Sequence, residues 1–174
     1  TACVSVQVGC SLDCAFCATG KLKRVRNLNP DEIYDQVVMI SQQSKNEYDI
    51  PLSNIVFMGM GEPLLNYKNV ISSIDKITSK DGLGMSPKRI TVSTAGIANR
   101  IIRLADDEVK FNLALSLHAA NDQKRNKIMP INESNSLEVL KKAMIYFVNK
   151  TQTRPTLEYI IFKDFNDEIK DAEE

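Results

Sequence analysis

The stretch GCSLDCAFCATG, residues 9–20, holds three of the four cysteines of the chain. Cys10, Cys14 and Cys17 follow the spacing C-x3-C-x2-C, and the fourth cysteine, Cys3, lies just upstream. The preceding segment ACVSVQV, residues 2–8, has the composition of a strand that runs into this cysteine loop. Three thiols at the end of a strand, in a chain otherwise almost free of cysteine, predict a metal site.

The composition of the 174 residues fits a single folded domain, with 43% hydrophobic and 25% charged residues. No apolar run reaches the roughly 20 residues that span a bilayer, and the first residues lack the pattern of a signal peptide. We therefore expect a cytoplasmic protein that does not contact a membrane. In that compartment clustered cysteines stay reduced and bind metal more often than they form disulfides.

The formal net charge is zero, with 22 basic and 22 acidic residues, which argues against binding nucleic acid by bulk electrostatics alone. The basic residues are unevenly placed, however. The run KLKRVR, residues 21–26, follows the cysteines directly. This run is either a solvated loop or a functional patch beside the thiols, and both interpretations remain open.

Strand-like and helix-like segments alternate along the chain. Asn29, Pro30 and Glu32 form a capping-box pattern that predicts the start of the first helix, and Asn135 with Glu138 predicts the start of a later one. Five near-continuous apolar strands are expected within residues 2–8, 54–60, 89–96, 109–118 and 156–162. This order predicts an α/β fold with a parallel sheet, which right-handed crossovers would curl into an open or closed barrel.

The first four predicted strands each end in small or polar residues, in the segments GCSLDC, GMGEP, STAG and SLHA. In α/β folds, ligands bind outside the carboxyl ends of parallel strands. We therefore expect these segments to meet at one rim of the sheet.

The cysteine spacing allows more than one metal. Three thiolates can hold three corners of a [4Fe–4S] cube and leave one iron open to another ligand. The alternative is a structural zinc site with Cys3 as the fourth ligand, although zinc sites favour two closely spaced cysteine pairs. A third interpretation, which the spacing does not exclude, is that the cysteines are incidental and bind no metal.

The motif C-x3-C-x-aromatic-C, with Phe16 as the aromatic residue, resembles the signature of radical S-adenosylmethionine (SAM) enzymes. The longer strings CVSVQVGCSLDCAFCATG, FMGMGEPLLN, STAG, LALSLHA and MPIN resemble one branch, the adenine-C2 RNA methyltransferases with dual specificity for 23S ribosomal RNA and tRNA. The resemblance runs along the whole chain. It implies a partial (β/α)6 barrel, truncated after about the fifth strand, with residues 1–174 as the radical SAM core of a protein that also has an N-terminal accessory domain and a barrel-closing C-terminal part.

The resemblance also implies the cofactors and their ligands. A [4Fe–4S] cluster would be held by Cys10, Cys14 and Cys17, and SAM would be cleaved there to a 5′-deoxyadenosyl radical. Residues implied in SAM binding are Gly61, Glu62, Ser93, Ser116, Leu117 and His118. From the residues alone, the glycines also fit a tight turn, Ser93 a helix cap and His118 a structural histidine.

Cys3 has a separate implied role. In the family, the matching cysteine resolves a protein–RNA adduct by forming a disulfide with a methyl-accepting cysteine near the C-terminus. The present chain has no cysteine after Cys17, so we expect it not to methylate RNA by itself. The implied partners are 23S rRNA, tRNA and a flavodoxin-like electron donor. The protein itself is expected to be a monomer.

Two other functions remain open. One is the sister methylation at adenine C8, whose members have Ala where this chain has Pro63. The other is a non-catalytic, zinc-stabilised RNA-binding module.

Overall fold

The computed structural model describes residues 1–174. Its strands are β1 (Ala2–Cys3), β2 (Gln7–Val8), β3 (Arg26–Asn27), β4 (Ile55–Phe57), β5 (Ile90–Thr94), β6 (Asn112–Ser116) and β7 (Thr156–Glu158). Its α-helices are α1 (Pro30–Tyr48), α2 (Tyr67–Thr78), α3 (Ala98–Asp106), α4 (Asp122–Ile128), α5 (Leu137–Thr151) and α6 (Ile169–Glu173).

Five strands form one sheet in the order β1-β4-β5-β6-β7, and every neighbouring pair in it is parallel. The predicted α/β fold with a parallel sheet is thus confirmed. β1 and β7 stand at the two edges and do not pair with each other, so the sheet is an open part of a barrel.

The predicted first strand, residues 2–8, is interrupted. β1 pairs with β4, whereas β2 pairs antiparallel with β3. Between them the main-chain N–H of Ser5 donates to the Gln36 side chain (2.9 Å), and those of Val6 and Gln7 donate to the carbonyl of Met60. Other partners thus take the hydrogen bonds that a continuous strand would have given to β4.

The two faces of the sheet differ in polarity. Ala2, Ile55 and Ile90 lie in register on one face, where they are buried in the main apolar core together with helical side chains. The next register row, which includes Val56 and Thr91, alternates to the opposite face and is only half-buried. The helices therefore cover one face, and the other carries small and polar residues.

The first helix begins as the sequence predicts. The Asn29 side chain accepts a hydrogen bond from the Glu32 N–H, the Glu32 carboxylate accepts one from the Asn29 N–H, and Pro30 is the first helical residue. These contacts satisfy N–H groups that have no partner inside the helix, and therefore fix where α1 starts.

The predicted cap of the later helix is wrong by one residue. Ser136 is the N-cap of α5 and makes no side-chain cap hydrogen bond. The Asn135 side chain instead accepts a hydrogen bond from the Ala98 N–H (2.9 Å) at the start of α3. The residue before Ala98, Ile97, has no side-chain acceptor, so Asn135 supplies one from elsewhere in the chain.

The last strand is shorter than predicted. β7 ends at Glu158 because the following N–H groups turn to side chains: that of Ile160 donates to His118 Nδ1 (3.2 Å) and that of Phe162 to the Asn166 side chain (2.6 Å). No helix combines the length and hydrophobicity needed to cross a membrane.

Candidate functional site

A cleft of about 350 Å³ opens at the carboxyl ends of the parallel strands. It brings together every predicted site residue except Cys3 and Leu117, and its lining includes Cys10, Cys14, Cys17, Gly61, Glu62, Ser93, Ser116, His118 and Glu158. These residues come from segments far apart in the sequence. The cleft therefore depends on the parallel strand order that places their ends side by side.

The cysteine loop is fixed by main-chain hydrogen bonds. The Cys10 N–H donates to the carbonyl of Leu22 (3.2 Å), and the Cys17 N–H donates to that of Cys14 (3.0 Å). The N–H of Ala15 donates to the carbonyl of Ile128 (2.9 Å), which ties the loop to the end of α4. The loop thus holds three free, half-buried thiols against one cleft.

The electrostatics of the thiols suit a cationic ligand. Burial raises the pKa of the Cys10 thiol, and burial together with the nearby Cys17, Cys10 and Glu62 groups raises the pKa of Cys14 to about 11. Thiolates that destabilise one another in this way are stabilised by a metal, because metal binding removes their protons and compensates their charge.

No three His, Cys, Asp or Glu side chains are close enough together to ligate a single metal ion. Cys10, Cys14 and Cys17 are free, half-buried and line one cleft, so they supply the three thiolates that a [4Fe–4S] cluster with one open iron requires.

The GMGEP turn after β4 is shaped by close packing. Gly61 has φ +96°, and a Cβ atom there would lie 2.5–2.7 Å from atoms of the Gln7 side chain. The same side chain accepts a hydrogen bond from the Glu62 N–H (3.0 Å). Only glycine combines this backbone conformation with this approach, which leaves the main chain of the turn close to the cleft.

The Glu62 side chain points into the protein and is 4% exposed. Its carboxylate accepts hydrogen bonds from the Leu64 N–H (3.0 Å), the Thr94 hydroxyl (2.7 Å) and the Ala95 N–H (2.8 Å). Burial raises the pKa of Glu62, and these three donors oppose that shift. The carboxylate therefore joins the loop after β4 to the loop after β5.

The ends of β5, β6 and β7 share a hydroxyl–carboxylate cluster. One oxygen of Glu158 accepts hydrogen bonds from the Ser93 hydroxyl (2.7 Å) and the Ser116 hydroxyl (3.3 Å). Ser93 lies inside β5 and is not the cap of α3, whose N-cap is Ile97. Because the serine protons point to Glu158, the serine lone pairs remain available to accept hydrogen bonds.

His118 is held in one orientation at the end of β6. It has φ +56°, its ring packs edge-on against Phe16 with centroids 4.8 Å apart, and its Nδ1 accepts the hydrogen bond from Ile160. Burial lowers the pKa of His118, although Glu158 opposes this. A neutral ring that accepts at Nδ1 carries its proton on Nε2, so His118 offers a neutral donor to the cleft.

Two predicted site residues lie elsewhere. Leu117 lines a mostly apolar cavity of about 660 Å³ next to α5, and only its main chain stays at the strand end. Cys3 is exposed in β1 and does not line the cleft. A zinc site with four thiol ligands requires Cys3 to lie beside the other three cysteines. The structure does not place it there.

The basic run beside the cysteines is largely free. Lys21, Lys23 and Arg24 are exposed, and Arg24 bonds only the neutral Asn27 side chain. Arg26 differs, because its guanidinium forms a two-point ion pair with Glu32, at 2.8 and 2.7 Å. Three of the four cations in this run thus have no carboxylate partner.

Sequence reasoning missed two residues of this region. Glu158 is the polar residue at the end of the fifth parallel strand, so the rule that singled out the other four strand ends would have found it. Arg125 is fully buried beneath the cleft, but the segment NDQKRNKI reads as a solvated charged helix. No sequence signal distinguishes it from the cations around it.

Fold and site together define a class: an α/β protein with a parallel, partly barrel-like sheet that presents three thiols and a polar cleft at its strand ends. The sequence profile described as "Radical SAM superfamily" matches residues 4–173. The chain therefore belongs to the radical SAM superfamily. This membership implies a [4Fe–4S] cluster and SAM as cofactors.

Individual proteins with similar sequences or structures give a more specific comparison than the superfamily match. The chain is 63% identical to the "Probable dual-specificity RNA methyltransferase RlmN" of Christiangramia forsetii, over 99% of this chain and 49% of that protein. It is 61% identical to the protein of the same name from Cytophaga hutchinsonii, over 100% of this chain and 48% of that one. The crystal structure of a radical SAM methyltransferase from Sphaerobacter thermophilus superposes with a TM-score of 0.95 at 40% identity, covering 98% of this chain and 50% of that one. The chain thus spans about half the length of the relatives it matches.

Proposed function

We propose that this chain is the radical SAM core of an RNA methyltransferase that methylates C2 of an adenosine in 23S rRNA and tRNA. The observation that carries the proposal is the cleft itself, where the C-x3-C-x2-C thiols meet the strand ends that carry Gly61, Ser93, Ser116 and His118. The names of the relatives at 61–63% identity support the RNA substrates.

When bound, the cluster and SAM supply one-electron radical chemistry, which can modify adenine C2, a carbon without the lone pair that polar methyl transfer requires. Cys10, Cys14 and Cys17 are proposed to hold three irons. The main chain of Gly61 and Glu62 would approach the methionyl end of SAM. The hydroxyls of Ser93 and Ser116, oriented by Glu158, and the Nε2–H of His118 would contact the remainder.

The domain assignment and the other partners are part of the proposal. Residues 1–174 form the radical SAM core of a longer protein, and a flavodoxin-like donor supplies electrons. Cys3 resolves the protein–RNA adduct by forming a disulfide with the methyl-accepting cysteine, which is not among these 174 residues. The free cations Lys21, Lys23 and Arg24 lie next to the cysteine loop, where RNA phosphates would have to approach.

Metal analysis of anaerobically reconstituted protein tests the cluster. We expect about four irons and four sulfides per chain, by the stoichiometry of the cluster. Single Cys→Ala changes at Cys10, Cys14 and Cys17 should each abolish iron binding. Cys3→Ala is the matched control and should retain the iron, because Cys3 lies outside the cleft. Zinc that depends equally on all four thiols would instead establish the zinc-stabilised module.

The site of methylation is tested with a full-length protein that contains this core. Nucleoside mass spectrometry of unmodified 23S rRNA and tRNA, after incubation with SAM and a reductant, should show 2-methyladenosine. Methylation at C8 alone would establish the sister activity.

A further inference from the structure

Arg125 is the largest fully buried side chain of the protein, with 0% of its surface exposed. Its guanidinium donates hydrogen bonds to the carbonyls of Leu117 (3.0 Å), Ala95 (2.7 Å) and Ser116 (2.9 Å) and to the side-chain oxygen of Asn132 (2.7 Å). All four acceptors are uncharged. A buried charge is costly unless an opposite charge accompanies it, so the compensating anion of Arg125 must be sought beyond its hydrogen-bond partners.

One carboxylate reaches Arg125 indirectly. The Asn132 amide that accepts from Arg125 also donates to Asp122 (2.8 Å). Asp122 is half-buried and also accepts from the Leu137 N–H (2.9 Å). It therefore compensates the guanidinium only through an intervening neutral group and while partly screened by water.

The segments that hold Arg125 also border the cleft and the cysteine loop. Two of its acceptors are the main chain at the end of β6, directly beneath the cleft, and Met129, at the end of its own helix, lines the cleft. The Ile128 carbonyl, also at that end of α4, accepts from Ala15, the neighbour of Cys14. Burial lowers the pKa of Arg125 to about 10, and Cys14 opposes this more than Asp122 does. The guanidinium is thus charged at neutral pH, and of the acidic groups near it Cys14 raises its pKa the most.

We propose that Arg125 is a positioning residue whose buried charge is balanced by the thiolate-held cluster and raises the reduction potential of that cluster. Three thiolates give a [4Fe–4S] cluster a net negative charge, and the one electron delivered by the external reductant makes that charge more negative. A fixed cation stabilises the reduced form more than the oxidised form, because the attraction grows with the charge. This role rests on the cluster assignment of the proposed function but on no particular RNA substrate.

Three hydrogen bonds to the ends of β5 and β6 and one to the Asn132 side chain also give Arg125 a structural role, and the test must separate this role from the electrostatic one. An electrostatic role predicts shifts of opposite sign for removing the cation and for removing its partial counter-charge. A purely structural role predicts loss of stability without such a pattern.

The experiment is an electron paramagnetic resonance redox titration of anaerobically reconstituted protein, together with iron analysis and thermal unfolding. Arg125→Met should shift the potential of the cluster to a more negative value, whereas Arg125→Lys should keep most of the wild-type potential. Asp122→Asn keeps both accepted hydrogen bonds and should shift the potential to a more positive value, by less than the Arg125→Met shift because Asp122 is half-exposed. Asn135→Ala is the structural control: it removes the acceptor of the Ala98 N–H, forms no side-chain hydrogen bond with Arg125 or Asp122, and should lower the unfolding temperature without moving the potential.

An unchanged potential in iron-loaded Arg125→Met protein would overturn the role of Arg125 while leaving the cluster site intact. If Arg125→Met does not fold or load iron, an unchanged or negative shift in Asp122→Asn overturns it instead. Wild-type protein that binds no iron would overturn the cluster site itself, and this inference with it.

Discussion

At the scale of single residues, Gly61 illustrates how packing rather than composition shapes the cleft. Its φ of +96° and its contact with Gln7 leave no room for a side chain. Gly84 offers a matched comparison, since it also has positive φ (+60°) but nothing within 4 Å of an added Cβ.

Gly61→Ala should therefore cost more than Gly84→Ala. The left-handed conformation alone costs about 1–2 kcal/mol for alanine, which is the loss expected at Gly84. Overlap with Gln7 should add roughly another 1–3 kcal/mol at Gly61. Denaturant unfolding measures both losses, and calorimetry should show weaker SAM binding only for Gly61→Ala. Equal losses at the two positions would show that Gln7 moves aside freely.

Glu158 orients two hydroxyls that otherwise have no fixed direction. We expect Glu158→Ala to weaken SAM binding by about tenfold, the effect of one or two lost hydrogen bonds, without changing the iron content. Titration calorimetry of reconstituted protein measures the affinity. Glu138→Ala, at an exposed position of α5, is the control and should bind SAM as the wild type does. If Glu158→Ala binds SAM normally, the cluster of hydroxyls does not contact the ligand.

At the scale of elements, the joint between the β4 and β5 loops depends on one carboxylate. Glu62→Gln would place an amide donor against an N–H donor of the surrounding main chain, whichever way the amide is turned. We expect it to lower the free energy of unfolding by about 3 kcal/mol, since buried hydrogen bonds to a carboxylate are lost. Glu133→Gln, on an exposed turn, should change it by less than about 0.5 kcal/mol. An unchanged free energy of unfolding in Glu62→Gln would contradict this role of the carboxylate.

The start of α1 should respond to acid. The Arg26 guanidinium and the Asn29 N–H lower the pKa of Glu32 from 4.5 to about 2. A carboxyl with a lowered folded-state pKa stabilises the fold above its unfolded pKa, and this contribution is lost as pH falls from about 4.5 towards 2. The difference in denaturation midpoint between wild type and Glu32→Gln should therefore shrink over that range. Glu47→Gln, at an exposed position near the other end of α1, is the control for the loss of one carboxylate from this helix.

Capping and strand patterns in the sequence predicted the element boundaries best where no distant residue takes the hydrogen bonds involved. Asn29, Pro30 and Glu32 lie close together in sequence and satisfy one another, so the start of α1 is readable from the chain. Asn135 has the same local signal but is drawn to the N-terminus of α3, which sequence spacing does not reveal. β1 and β7 are shorter than predicted for the same reason, since distant side chains take their hydrogen bonds.

The features of the candidate site also differ in how far the sequence predicts them. The cysteine loop and the strand-end turns are contiguous motifs, and the sequence placed them at one rim. The inward turn of the Glu62 carboxylate and the burial of Arg125 depend on partners from other strands. The orientation of Leu117 depends on the alternation of side chains along β6, which the motif alone does not convey.

At the scale of the whole molecule, the proposal predicts a division of labour. The 174-residue chain has all four of its cysteines within its first 17 residues and no later thiol to accept a methyl group. We expect it to cleave SAM slowly and to form no 2-methyladenosine on RNA. Nucleoside mass spectrometry checks this, with the full-length Christiangramia forsetii relative as the positive control. Detection of 2-methyladenosine with this chain alone would show that the implied methyl-accepting cysteine is dispensable.

The placement of Glu158 on β7 also bears on how the protein is made. During synthesis the cysteine loop emerges before the last wall of the cleft, because Glu158 lies 141 residues after Cys17. At about 5–20 residues per second, the thiols wait on the order of ten seconds before their cleft can close. Through that interval they are exposed to oxidants and to competing metals such as zinc. Cluster insertion is therefore expected to follow translation, and the yield of correctly loaded protein to depend on what the nascent thiols meet first.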